Sequence, residues 1–190
     1  MDTPSFALTV DGEVDHPVVL RWEDAMELPL VQHTVCPECY GGIQRDSHLV
    51  RGLPLIDLFE LAKVRDCATG AIFYSTDGYW EPASLLELLE QDAFLAYRAD
   101  GAQEQQMDLL PRLAIPGKYG YKWVKWVHLV RLVAGDPARA EHPVPPAAGG
   151  QGDVPNQIHI VSGNPFTPSP CSLYVWARKR LRQKHESLQR

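Results

Sequence analysis

Two clusters in this chain have residue types and spacing that can do chemistry. The first is Cys36-Pro37-Glu38-Cys39, followed by Tyr40-Gly41-Gly42. A C-x-x-C pair can be half of a zinc site, a redox couple, or one reactive thiol beside a structural one. Zinc needs four ligands, and Cys67 and Cys171 come without a second C-x-x-C or a paired histidine. A thioredoxin-like pair belongs at a helix N-terminus, where the dipole lowers the thiol pKa, whereas Gly41-Gly42 follows here. Covalent haem attachment requires His where Tyr40 stands. Two buried strand cysteines acting as small hydrophobes remain an open reading of the motif taken alone.

The second cluster runs from Arg112 to Trp126. It places Arg112, Lys118, Lys122 and Lys125 among Tyr119, Tyr121, Trp123 and Trp126, with Gly117 and Gly120 between them. Glycine lets backbone amides approach an anion closely and Lys or Arg supplies the counter-charge, so the segment suits a phosphate or a pyranopterin. The alternative is an exposed, solvated hairpin.

The rest of the chain limits what these clusters can serve. A formal net charge of -6 over 190 residues argues against a nucleic-acid partner, which needs an excess of phosphate-facing cations. The same holds for stacking on nucleobases by the aromatics of the second cluster. No apolar run is long enough to span a bilayer, and the first residues lack a secretory pattern, so the expectation is a cytoplasmic protein, or a periplasmic one if the sequence is a processed form. Four cysteines are too few and too irregular for a disulfide scaffold.

The elements that must hold the clusters are short. Phe6, Leu8 and Val10 alternate, Asp11-Gly12 is a turn, and Val18-Val19-Leu20 returns, which reads as a β-hairpin. A helix from about Trp22 to Leu28 is ended by Pro29. Thr34 to Gly42 reads as a strand entering a Gly-Gly loop. Pro54 fits the first turn of a helix carrying Leu55, Leu58, Phe59 and Ala62 on one face. Ala71 to Ser75 is a strand, Asp77-Gly78 a turn, and Leu85, Leu86, Leu88 and Leu89 mark a second helix. Strands follow at Ala93 to Arg98, closed by Asp100-Gly101, at Arg112 to Ile115 and at Trp126 to Val133. Strands outnumber helices, which favours an α+β or mostly β fold over a doubly wound one. The expected organisation is a domain over 1–134, a Pro/Gly-rich linker or surface loop over 135–156, and a C-terminal extension over 157–190. Within the extension, 172–188 has helical character, with Leu173, Trp176, Ala177, Arg180 and Leu181 on one side and Arg178, Lys179, Arg182 and Lys184 among its charges.

Taken in order, Phe6-Ala7-Leu8-Thr9-Val10-Asp11-Gly12, Glu38-Cys39-Tyr40-Gly41-Gly42, Arg51-Gly52-Leu53-Pro54-Leu55, Asp77-Gly78-Tyr79, Leu95-Ala96-Tyr97 and the Arg112 to Trp126 segment resemble one known domain. It is the oxidoreductase molybdopterin-binding domain of the sulfite oxidase family, shared with plant-type nitrate reductases and a bacterial methionine sulfoxide reductase subunit. The resemblance spans roughly residues 5 to 134. It implies an α+β, mixed, largely β sulfite oxidase-type fold with short helices, and a molybdenum-molybdopterin cofactor with one protein thiolate on the metal.

Cys39 matches that ligand and Cys36 does not. Arg112 matches the pterin-contacting arginine and Lys125 the lysine that reaches the cofactor, with Lys122, Trp123 and Val124 beside it and Ser75 where some members place a hydroxyl. The implied chemistry is two-electron oxygen-atom transfer on a small-molecule substrate. Arg45 and Tyr79 are the expected catalytic neighbours, and His33, His48 and Arg51 further pocket candidates, although each histidine has the alternative of a structural hydrogen bond. With no haem or flavin motif visible, a separate electron-transfer protein is expected to carry the electrons. Met107-Asp108 stand where the family has Asn or His followed by Gly, and the family's Arg-Asn-His segment and immunoglobulin-like dimerisation domain have no counterpart, so substrate and oligomeric state stay open. The competing reading is a non-catalytic binding or scaffold module with an altered or empty cofactor site.

Overall fold

In the computed structural model, which describes residues 7–35, 48–99, 111–118 and 122–140, period-two alternation builds the first hairpin. Strand β1 (Ala7–Gly12) and strand β2 (Val18–Arg21) pair antiparallel, with Leu8 opposite Leu20 and Val10 opposite Val18, all four buried. Helix α1 (Trp22–Glu27) follows at once and stops before Pro29, as its sequence requires. Strand β3 (Val31–Val35) pairs antiparallel with β4 (His48–Pro54), whose last residue turns directly into helix α2 (Leu55–Ala62).

Helix α2 buries the Leu55, Leu58, Phe59 and Ala62 stripe expected from spacing. A helix of eight residues is unstable alone, but each fully buried Leu or Phe contributes about 1.5–3 kcal/mol, so the packed stripe holds it. Pro54 is the extended residue just before the helix rather than inside its first turn, because it also closes β4 opposite Phe94. At the other end Lys63 adopts a left-handed conformation with φ 50° and donates to the Phe59 and Glu60 carbonyls.

Strand β5 (Ala68–Ser75) and strand β6 (Trp80–Ser84) form the next hairpin around Asp77-Gly78, and helix α3 (Leu85–Glu90) follows. The Ser84 hydroxyl accepts from the Glu87 amide and caps α3. Strand β7 (Phe94–Ala99), β8 (Arg112–Ala114) and β9 (Val127–Ala134) complete the sheets, and a 3-10 turn at Pro137–Arg139 packs on β5 and β6.

Among the described residues two sheets result, a five-stranded one in the order β2-β1-β9-β5-β6 and a four-stranded one in the order β3-β4-β7-β8. Strand β9 runs parallel to β1 and antiparallel to β5, which closes the five-stranded sheet across the length of the chain. One core cluster joins Val10, Phe73 and Val130 of the five-stranded sheet to Leu53, Leu95 and Leu113 of the other, with the apolar faces of α2 and α3. A smaller cluster of Val50, Phe94, Ala96, Ala114 and Trp123 includes residues of the four-stranded sheet that do not belong to the main core.

Candidate cofactor-binding site

The four-stranded sheet brings separate parts of the chain to one end. Val35 pairs with His48, so the connection 36–47 leaves and re-enters there. Val50 pairs with Ala99 and Ala96 with Arg112, so β7 ends and β8 begins at the same end. Cys36, Cys39 and Arg45 belong to that first connection and lie outside the described residues, as do 100–110 with Asp100-Gly101 and Met107-Asp108, and 119–121. Residues directly opposite on paired strands share a face, so exposed Arg112 lies on the same face as Ala96, which belongs to the smaller cluster. His33 is half-buried on β3, its ring stacked on Phe94 with centroids 4.9 Å apart, and is thus a wall of this same face. His48 opens β4 and Arg51 is exposed on it.

The segment after 121 passes beside β8. The Leu113 amide donates to the Val124 carbonyl at 2.8 Å and the Val127 amide to the Pro111 carbonyl at 2.9 Å. On its other side the Thr76 amide donates to the Trp126 carbonyl at 3.1 Å, and Ser75 pairs with Val127. Ser75, Arg112, Val124 and Lys125 are therefore gathered into one neighbourhood by backbone hydrogen bonds. Ser75 is buried, Val124 is buried in the core, and Arg112 and Lys125 are exposed. Trp126 holds a left-handed φ of 54°, an uncommon state for a bulky residue and of the kind that clusters at functional sites.

Around Ser75 the turn is fixed by its own side chains. The Asp77 amide donates to the Ser75 hydroxyl at 3.4 Å, and the Tyr79 amide donates to the Asp77 carboxylate at 3.0 Å. The Tyr79 amide, then the Ser75 hydroxyl and more weakly the Lys125 ammonium, hold the Asp77 carboxyl below the usual carboxylate range. Tyr79 itself is exposed, and its hydroxyl donates to Glu81 at 2.9 Å.

The remaining cations point elsewhere. Pro116 and Gly117 make a tight turn, closed by the Lys118 amide donating to the Ile115 carbonyl at 3.1 Å, with Gly117 at φ +75° where a type II turn requires glycine. The turn presents Lys118 to Glu87 of α3 at 2.8 Å, and Lys122 reaches the other oxygen of the same carboxylate at 3.7 Å. The Lys118 hydrogen bond, with Lys122 behind it, lowers the Glu87 pKa. Trp123 is buried and its indole donates to the Ile115 carbonyl at 3.2 Å, so it anchors the segment to the turn.

One residue at this place carried no signal in the sequence. Between Tyr74 opposite Leu129 and Ser75 opposite Val127 the register shifts, leaving His128 as the extra residue of a β-bulge. Bulges of this kind re-aim side chains beside active sites. Burial lowers the His128 pKa, opposed by a hydrogen bond at the Ser75 backbone. A lone histidine inside a regular apolar strand gives no reason to expect it. Glu87 could have been found from the Ser84-x-x-Glu87 capping pattern.

These residues are candidates for a site at one end of a mixed, largely β domain. The chain belongs to the oxidoreductase molybdopterin binding domain family, whose model matches residues 1–140. It is similar to the uncharacterized oxidoreductase YuiH of Bacillus subtilis (strain 168), 28% identical over 132 residues that cover 69% of this chain and 67% of that protein. The crystal structure of the sulfane dehydrogenase SoxCD from Paracoccus pantotrophus is similar with a TM-score of 0.58 and 24% identity, covering 69% of this chain and 39% of that one. The chain thus spans well under half the length of that solved chain. The fold is the sulfite oxidase-type molybdopterin-binding fold that the motif order implied, and the family carries a molybdenum-molybdopterin cofactor. Among the described residues no helix is long and apolar enough to cross a membrane.

The residues present fit such a group. Its phosphate end is anionic, and Arg112 and Lys125 are exposed cations on backbone held side by side at the start of β8, the sheet end from which the 36–47 connection leaves.

Proposed function

We propose that this chain is a molybdopterin-dependent oxidoreductase acting by two-electron oxygen-atom transfer on a small substrate, with Cys39 as the protein thiolate on molybdenum. The observation that carries the reading is the convergence of the 36–47 connection with Arg112 and the Trp123-Val124-Lys125 segment at one end of the four-stranded sheet. When bound, the cofactor supplies the two-electron chemistry; the protein supplies a soft, deprotonated thiolate and an anion cradle.

In this reading Arg112 and Lys125 neutralise the anionic part of the cofactor, and Ser75 offers a hydroxyl. Val124 contributes backbone, while Trp123 excludes water and holds the segment rigid. Lys122 is shared with Glu87 and adds charge from one step back. Arg45 and Tyr79 are assigned to act on the substrate, and electrons pass to or from a separate redox protein. Residues 1–134 make the catalytic domain, 135–156 a linker whose first part packs on the sheet, and 157–190 an extension. The binding-module alternative is favoured by one feature: Glu87 holds both Lys118 and Lys122, which reduces the charge available to a phosphate.

Metal analysis of protein made in a cofactor-competent host tests the reading. Near-stoichiometric molybdenum and a fluorescent released pterin are expected, with molybdenum lost in Cys39→Ser while the circular dichroism is kept. Molybdenum-free protein that releases no pterin would refute it, and zinc in its place would return the Cys36-Cys39 pair to a structural role.

A further inference from the structure

Strand β9 changes face at one residue. Val127 and Leu129 are two apart and would share a face in a regular strand, yet Val127 packs in the main core and Leu129 in the cluster on the other side of the sheet. The switch is the bulge: Tyr74 pairs with Leu129 and Ser75 with Val127, so His128 has no residue opposite it. Continued without the bulge, the ladder would set His128 against Ser75 and Val127 against Thr76, and Trp126 rather than Lys125 would come level with Asp77. With the bulge, the Thr76 amide meets the Trp126 carbonyl at 3.1 Å. One step further along, Lys125 stands beside Asp77, on whose carboxyl its charge acts behind the Tyr79 amide and the Ser75 hydroxyl. The face and register of the whole 125–127 stretch therefore depend on the extra residue.

Three features hold this arrangement. The Val127 amide donates to the Pro111 carbonyl at 2.9 Å, which ties the shifted residue to the start of β8 beside Arg112. Trp126, at φ 54°, turns the chain between Lys125 and Val127. The third is His128 itself, half-buried, set beside Ser75 by the register and bonded through its ring to the Ser75 backbone. That bond favours the protonated ring, so the ring donates and the Ser75 carbonyl accepts. We propose that His128 is a positioning residue whose ring, bonded to the Ser75 carbonyl, locks the bulge that sets Lys125 against the Ser75-Asp77 turn. Its effect on the cofactor rests on the function proposed above, in which Lys125 neutralises the anionic part of that group and Ser75 offers a hydroxyl; His128 acts through these two. Burial keeps the ring neutral near pH 7, so it fixes the register without a charge of its own.

The test compares His128→Leu, which fills the space without a donor, with His128→Gln and His128→Asn, which keep a side-chain N–H; His128→Val takes the place of His128→Leu should that variant not fold. The first two readouts use the full chain made without cofactor. In His128→Leu the Thr76 amide is expected to exchange its hydrogen roughly tenfold faster than in the parent, because its bond to Trp126 exists only in the bulged register. The Asp77 carboxyl, followed by NMR, is expected to titrate closer to the ordinary carboxylate range, the Tyr79 amide staying in place while the Ser75 hydroxyl and the Lys125 ammonium draw back. The Gln or the Asn variant should restore both values, and Leu61→Ala, a loss of packing on α2, should leave Asp77 unmoved. In cofactor-loaded protein, His128→Leu is expected to lose molybdenum on dialysis about tenfold faster than the parent, and the rescued variant to keep it. Parental Thr76 exchange and Asp77 titration in His128→Leu overturn the proposal, whatever the metal content. Equal shifts in all the His128 variants overturn it as well, since the donor would then be irrelevant. Molybdenum retained in His128→Leu despite a shifted Asp77 overturns the link to the cofactor. A parent without molybdenum refutes the proposed function instead, and the two cofactor-free readouts still decide the role of His128.

Discussion

Replacing Gly52 by alanine tests whether the site-bearing sheet is as tightly registered as its geometry indicates. A Cβ at this position would lie 2.3 Å from the Leu95 carbonyl oxygen, 2.8 Å from its carbon and 2.5 Å from the Phe94 ring. The closest conflicts are with backbone, so no rotamer change relieves them. Bringing the methyl to an ordinary contact distance requires β4 and β7 to separate by about 1 Å at the bulge between Arg51 and Gly52. Overpacking of this kind costs about 1–3 kcal/mol, and each ladder hydrogen bond stretched with it about 1 kcal/mol more. A total near 3 kcal/mol corresponds to a fall in Tm of about 6–12 °C for a chain of this size. Urea and thermal unfolding followed by circular dichroism measure it. Gly78→Ala is the control, since nothing lies within 4 Å of the added carbon and only the φ of +89° opposes it, at about 1–2 kcal/mol. A Gly52→Ala protein within 0.5 kcal/mol of its parent, or less affected than Gly78→Ala, would refute the close approach and with it the register that aligns the two connections.

Three further outcomes are expected. Trp123→Phe removes the indole donor from the Ile115 carbonyl and some buried ring, so it should destabilise by about 1–2 kcal/mol and lower molybdenum content in cofactor-loaded protein; an unchanged urea midpoint would show that the anchor is idle. Glu87→Gln releases Lys118 and Lys122 from a partly exposed pair, with a stability loss of at most about 1 kcal/mol that shrinks in 1 M salt; a larger, salt-independent loss would mean the carboxylate does something else. His128 has a folded pKa lowered by burial, so below about pH 6.5 the unfolded chain takes up a proton that the folded one refuses, and stability falls as pH drops through that value. His128→Gln should flatten this limb of the urea-midpoint profile between pH 7.5 and 5.5, leaving the separate loss below about pH 4, where Asp77 and Glu87, both lowered, take up protons.

The elements legible in the sequence are those whose apolar pattern decides them locally. The β1–β2 alternation, the α2 stripe and the Asp77-Gly78 turn stand where spacing alone put them, whereas Asp11-Gly12, read as the turn of the first hairpin, continues β1 and pairs with Arg131 and Leu132 of β9. Strand β6 was not legible, because Pro82 and the polar residues around it break a strand pattern; proline is tolerated there only since β6 is the edge of its sheet. Strand β4 was hidden in the same way, its run interrupted by Gly52 and Pro54, although the sheet needs that glycine where Leu95 comes close. The parallel pairing of β1 with β9 depends on residues such as Thr9 and Leu129, far apart in the chain, and no local pattern announces it.

For the candidate site, residue types were legible and division of labour was not. Four cations in one stretch read as a single cradle, whereas packing assigns Lys118 and Lys122 to Glu87 and sets Lys125 beside Asp77. The reason lies in the topology. In an all-antiparallel order β3-β4-β7-β8, the connections 36–47 and 100–110 must emerge at one end. The opposite end is where β4 passes into α2 and where the Leu55 amide meets the Ala93 carbonyl just before β7. Helix formation is thus concentrated at one end of this sheet, and the residues proposed to hold an anion lie at the other. Stability and cofactor retention should therefore separate by position: a change in the α2 stripe acts first on folding, whereas a change at Arg112 or Lys125 acts on what the folded sheet holds.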